Sequence, residues 1–214
     1  EPIEIAYRSF FNPNIDYIYY TVPCIVAILS MVLALMVTAM SVSRERENGT
    51  FDQLLVSPLQ PWQILIGKML PAMIISIGES TLLMIAALIL FDVPFKGSIV
   101  SLYISMIVFL FSMVGVGLFI SSISQTQQQS ILGTFVFMTP TMLLSGYATP
   151  IENMPHWLQP FTNLLPIKHF FIIIKGIFLK NMPAAEVFMH TWPMALIALF
   201  TLSLAGWMFK KRME

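Results

Sequence analysis

An all-α membrane protein of about five transmembrane helices is the fold class this sequence predicts, and three observations predict it. First, 57% of its 214 residues are hydrophobic and 10% charged, where a soluble domain carries about 25% charged residues. Charge that sparse cannot cover a water-facing surface, and mean hydropathy is +0.80. Second, several apolar runs approach or exceed the roughly 20 residues that a helix needs to cross the hydrocarbon core. Third, several of those runs lack the polar stripe of a soluble amphipathic helix. Lipid offers no hydrogen-bond partner to open backbone, so helices are the default spans.

The predicted spans are about 21–42, 64–90, 98–121, 131–146 and 188–209. Between them lie a charged loop (43–63), a short FDVPFKG turn (91–97), a glutamine-rich loop (122–130) and a long connection (147–187). The fourth span is short and contains Pro140. Five crossings put the termini on opposite sides. With loop 43–63 and the C-terminus inside, the inner side carries Arg44, Arg46, Lys68, Lys210, Lys211 and Arg212, and the outer side Arg8, Lys96, Lys168, Lys175 and Lys180. Six against five is a weak positive-inside signal. The Lys210-Lys211-Arg212 run directly after the last span strengthens it and places the C-terminus in the cytoplasm. Trp62, Trp157, Trp192 and Trp207 fall at or near span ends, where interfacial aromatics belong.

The long connection is not ordinary loop. Pro150, Pro155, Pro160 and Pro166 are interleaved with aromatic and apolar residues. FFIIIKGIFL (170–179) is apolar, flanked by lysines and too short to span, so it predicts a re-entrant or interfacial helical segment on the outer face.

SRERENGTFDQLLVSP (43–58) is the densest charge cluster in the chain, and it separates two of the most apolar runs. Gly49 permits a sharp reversal after the first span. Thr50-Phe51-Asp52-Gln53 matches a capping box, with Asp52 in a first turn that favours negative charge. Pro58 biases Ser57 away from helix and closes the segment. About two turns result, 51–57, with Phe51, Leu54 and Leu55 on one face. So short a helix needs a docking surface. From pattern alone that surface is either this chain's own helices and the lipid interface, or a cytoplasmic partner flanked by Arg44, Glu45, Arg46 and Glu47.

Several function classes have no support in the residues. Net charge is zero, so no acidic partner and no nucleic acid is implied. Cys24 is the single cysteine, which removes an intramolecular disulfide. His156, His169 and His190 lack metal-ligand spacing, and no metal site is expected. No P-loop, nucleophile elbow or paired-carboxylate pattern occurs, so the chain is not expected to be an enzyme. ATP and Mg, if used, would bind another chain, and no cofactor is expected on this one. Lys68, close to a span end, is expected to snorkel toward water. Glu79 is the one acidic residue deep inside a span, where a charge costs roughly 2.5–3.5 kcal/mol on insertion scales. It reads either as a pathway or coupling residue, or as a protonated carboxyl bonded to a Ser or Thr of a neighbouring helix.

RERENGTFDQLLVSPLQPWQILIGK resembles the signature of ABC-2 type ABC-transporter permeases, R-E-x-E-x-G-T-x-E-x-L-L-x-S-P, with Asp52-Gln53 near the usual acidic position. ISSISQTQQQSILG (120–133) is similar to the family's serine- and glutamine-rich cytoplasmic turn, which adds Gln127 and Gln128 to the candidate coupling residues. Residues 144–181 resemble the family's outer-face segment before its last helix. The resemblance implies a dimer of permease halves, equal or different. Each half would dock a separate cytoplasmic ATPase through Arg44, Glu45, Arg46, Glu47, Gly49, Thr50, Phe51, Asp52, Leu54, Leu55, Pro58, Gln127 and Gln128. It also implies contact with membrane lipid, a bacterial inner-membrane location and a periplasmic adaptor as a further partner. Residues 1–20 would be the tail of an extracytoplasmic domain, 21–214 the transmembrane domain, and the first span would lie outside this sequence. Two rivals from other classes stand beside it: a proton-coupled secondary transporter or channel using Glu79, and a non-transporting membrane anchor. The first should show inverted repeats, and none is visible.

Overall fold

A computed structural model describes residues 17–51, 58 and 60–213. Among the described residues seven α-helices follow one another: α1 (Tyr17–Glu47), α2 (Pro61–Leu90), α3 (Ile99–Ile123), α4 (Gln127–Leu144), a single turn α5 (Gln159–Thr162), α6 (Pro166–Lys180) and α7 (Ala184–Met213). A short 3-10 turn, Ile151–Asn153, precedes α5. The described residues contain no strand. The all-helical expectation holds.

Helices α1, α2, α3 and α7 are long and apolar enough to cross a membrane. The predicted fourth span is the exception. α4 starts at Gln127, inside what reads as a loop, and ends at Leu144. Its 18 residues rise about 27 Å, short of the roughly 30 Å hydrocarbon core. Thr126 explains the early start, because its hydroxyl accepts from Gln129 N–H at 3.2 Å while Gln129 Oε1 accepts from Gln125 N–H at 2.9 Å. The glutamines are therefore capping residues of a helix, and their polarity keeps α4 out of the set of four.

α3 is the central helix, packed along α7 and α1, while α1 also meets α2, α4 and α6. Small residues set those distances. A Cβ on Gly117 would overlap the Thr38 side chain of α1, and one on Gly115 would overlap Thr201 of α7. Hydroxyls reinforce the crossings: Ser30 Oγ meets Ser80 Oγ at 2.7 Å between α1 and α2, and Thr81 meets Tyr103 at 2.9 Å between α2 and α3. Small side chains and polar bridges do this work because lipid supplies no hydrophobic drive for helices to associate.

The long connection contains a 15-residue buried helix, α6. Ile167, Phe170, Ile173, Ile174, Ile177 and Phe178 of α6 are all buried, and Phe170 stacks on Phe109 of α3 with centroids 4.4 Å apart. The 91–97 turn closes over it, with Gly97 N–H donating to Ile177 O at 2.9 Å and the Phe95 ring edge-on to Phe178 at 5.2 Å. These contacts place α6 at the bundle end where α1 begins and α2 finishes, called here the Lys175 end. The opposite end, where α1 finishes and α2 begins, is the Arg44 end. Trp62, Trp157, Trp192 and Trp207 are all exposed.

Candidate functional site

The site forms where α1 runs out. Gly49 takes φ +70°, Gly49 N–H donates to Arg46 O at 3.1 Å, and Thr50 N–H donates to Glu45 O at 2.9 Å. That pairing is a Schellman C-cap, and the glycine is there because a side chain strains that left-handed conformation. The Thr50 hydroxyl also donates to Glu45 O at 3.2 Å. Thr50 thus finishes α1, whatever it does for the following segment. The capping partner Gln53, together with Asp52, Leu54 and Leu55, lies outside the described residues, and Pro58 is an exposed bend.

Phe51 takes one of the two expected docking surfaces, this chain's own helices. It is buried against Val42, Ile64 and Phe209, its ring edge-on to Phe209 at 6.1 Å. The Arg46 guanidinium covers the same ring at 4.7 Å from its centroid. An apolar ring beside three apolar neighbours gains more from that contact than from exposure. Phe51 therefore anchors the end of α1 to α7.

The charges form a lattice between elements. Arg46 Nη1 donates to Ser122 O at 2.8 Å and Ser124 O at 3.0 Å, satisfying carbonyls at the end of α3. Arg44 Nε donates to Gln127 Oε1 at 3.3 Å, and Gln127 N–H donates to Glu47 Oε2 at 2.9 Å, at the first turn of α4. A carboxylate there faces the positive end of the helix dipole. Ser121 Oγ accepts from the backbone N–H groups of Val42 and Ser43 at 2.9 and 3.2 Å.

Lys68 is the clearest correction. It does not reach for water. Its ammonium forms an ion pair with Glu45 Oε1 across α1 and α2, and the lysine side chain is only 12% exposed. A carboxylate within reach offers a charged hydrogen bond that a membrane-depth ammonium would otherwise lack. The signal was a cation two turns into α2 facing a carboxylate in the last turn of the preceding antiparallel helix. A cavity of about 400 Å³ opens beside this pair, lined also by Ser41, Arg44 and Gly67.

Glu79 stays apart from this lattice. It is half-buried on α2, and its Oε2 is buried with no hydrogen-bond partner among the described residues. Of the two alternatives for Glu79, a bond to a neighbouring Ser or Thr is not formed among the described residues, where Ser80 engages Ser30 and the Ser76 carbonyl. Of the candidate set, Arg44, Glu45, Arg46, Glu47, Gly49, Thr50, Phe51 and Gln127 are brought together with Lys68, Ser121 and Phe209. Gln128 is exposed beside them.

His169 and His190, far apart in sequence, come within 5.8 Å between ring centroids. His169 Nε2 meets Asn163 O at 3.0 Å, and burial holds this imidazole below its ordinary pKa. The described residues contain no group of three metal-ligating side chains.

Comparisons follow the same lines. A family model described as "ABC-2 family transporter protein" matches residues 1–207. The chain is 45% identical over 209 residues to "Probable multidrug ABC transporter permease YbhR" of Escherichia coli K12, covering 98% of this chain and 57% of that protein. It is 30% identical over 213 residues to "Inner membrane transport permease YhhJ" of the same organism, 94% of this chain and 55% of that one. Similarity extends to "ABC transporter G family member 20" of Dictyostelium discoideum, 28% identical over 170 residues, 79% of this chain and 23% of that one. The chain thus spans little more than half the length of its bacterial relatives. A multi-pass helical membrane protein with this match along nearly its whole length belongs to the ABC-2 transporter family.

Proposed function

We propose that this chain forms the membrane-spanning part of an ATP-driven exporter in a bacterial inner membrane, acting as a dimer of equal or different halves. A separate ABC ATPase, which holds ATP and Mg, would engage the Arg44 end through segment 43–58 and Gln127–Gln128. One observation carries the reading. Residues 44–51 contact α7 through Phe51 and Phe209, α2 through Glu45 and Lys68, the end of α3 through Arg46, and α4 through Gln127, so a displacement applied here would reach all four. Four helices thus meet one short stretch at the end of α1, which is what transmission from an ATPase to a pathway requires. The Arg44 end is cytoplasmic in this reading, and the Lys175 end faces outward. By likeness to YbhR, the substrates are drug-like molecules, and a periplasmic adaptor completes the export route.

The test is copurification of ATPase with the full-length permease in mild detergent. Leu54→Asp should reduce bound ATPase sharply, since an uncompensated charge in a buried contact typically costs about 3–5 kcal/mol. Reversal of exposed Arg44 or Glu47 should matter less, at about 0–1 kcal/mol. Undiminished ATPase with Leu54→Asp would sink the coupling role of 43–58. Orientation is tested with an impermeant thiol reagent on intact cells. A cysteine at Asn153 should react, and cysteines at Gln127 and Met213 should not; the reverse pattern would invert the topology.

A further inference from the structure

The Lys175 end holds a cation that the export reading does not use. Lys175 lies on α6, half-buried, with its ammonium 4.5 Å from the centroid of the Tyr20 ring. That ring stacks parallel to Tyr147, with centroids 6.4 Å apart. Among the described residues Lys175 makes no ion pair and no hydrogen bond to an acceptor, so its ammonium donors are left open toward its two cavities. Burial pulls its pKa below the ordinary lysine value, the mark of a charge without full compensation.

Two cavities meet at this side chain. One, of about 550 Å³, is lined by Lys175 and Lys180 together with Ile172, Leu179 and Met182. The other, of about 260 Å³, is lined by Lys175 and Lys168. Each cavity also has one carboxylate in its lining, Glu186 in the first and Glu152 in the second, and both of these are exposed. Each cavity thus sets two lysines and one exposed carboxylate around the described lining. The larger cavity adds a continuous apolar wall beside the cation, and its volume falls in the range of small-molecule sites.

We propose that Lys175 is the anchor of a binding site for an anionic phospholipid. The phosphate would sit between Lys175 and the flanking Lys168 or Lys180, and the chain would lie along Ile172, Leu179 and Met182. Charge complementarity selects the anion, since an ammonium with open donors gains charged hydrogen bonds to phosphate oxygens. The apolar wall selects a phosphate that carries a tail over one free in water. The site lies at the opposite end of the bundle from the ATPase-facing lattice, so it stands or falls apart from the export reading.

Native mass spectrometry of the full-length protein, released from detergent with added phosphatidylglycerol or phosphatidylcholine, tests it. Phosphatidylglycerol should be retained in preference to phosphatidylcholine, whose own cation offsets its phosphate. Lys175→Gln should weaken that retention roughly tenfold, and Lys175→Arg should preserve it. Lys180→Glu reverses the charge of an exposed residue, so it should weaken retention even if Lys175→Gln fails to fold. Equal retention of the two lipids, or unchanged retention in Lys175→Gln and Lys180→Glu, overturns the site. Displacement of the lipid by inorganic phosphate at matched ionic strength would assign the pocket to a free anion and overturn the lipid assignment.

Discussion

The two ends of the bundle treat their charges differently. At the Arg44 end, Arg44, Arg46 and Lys68 are each spent on a partner from another helix or loop. At the Lys175 end, Lys168 donates, among the described residues, to the neutral oxygens of Thr162 and Asn163, and Lys175 meets an aromatic face. Charges paired across helices bind elements together and transmit displacement. Charges left without a carboxylate keep donors for something else. In the reading proposed above, the same residue type serves a joint between helices at one end and a binding surface at the other.

Four substitutions break or sharpen that contrast, each read by thermal or denaturant unfolding of the purified protein in detergent. Phe51→Ala should cost most, about 3 kcal/mol or more, because it empties the buried contact with Phe209 and uncovers Arg46. A loss under about 1 kcal/mol, the scale of a typical point substitution, would mean the ring is not an anchor. Lys68→Met should come next. The Glu45 side chain is 30% exposed, so the cost should lie between the roughly 0–1 kcal/mol of an exposed pair and the roughly 3–5 kcal/mol of a buried one. A double-mutant cycle with Glu45→Gln should show coupling, and simple additivity would remove the joint.

Gly49→Ala should cost about 1–2 kcal/mol, since φ +70° penalises a side chain although the surrounding space is open. No loss would mean that the Schellman turn is not maintained in membrane or detergent. Lys175→Gln should cost least, about 0.5–1 kcal/mol from the cation–aromatic contact alone. If Lys175→Gln destabilises as much as Lys68→Met, the two ends do not differ in kind.

Much of this architecture was legible along the chain, for physical reasons. Hydropathy reports the solvent a segment needs, so α1, α2, α3 and α7 emerged from apolar runs alone. Glycine and proline report backbone, so Gly49 announced the reversal after α1 before any contact was known. α4 was harder, because its first turn is built from glutamines that hydropathy scores as loop while Thr126 caps them into helix. The helix count was therefore legible only to within that segment.

Pairing belongs to another level. The sequence by itself determined that this is a helical membrane protein, with a charged turn after its first described helix and an apolar segment too short to cross. Its motifs resemble those of the family that the match along the chain then showed. Only the tertiary structure decided that Phe51 turns inward onto Phe209, that Lys68 chooses Glu45 over water, that Glu79 finds no hydroxyl among the described residues, and that α6 is buried among α1, α3 and α7. Hydropathy and turn signals are local quantities, summed over neighbours in the chain. Which of two available partners a side chain takes depends on the distances between helices, and those are set by close crossings such as Gly117 against Thr38 that no single segment contains.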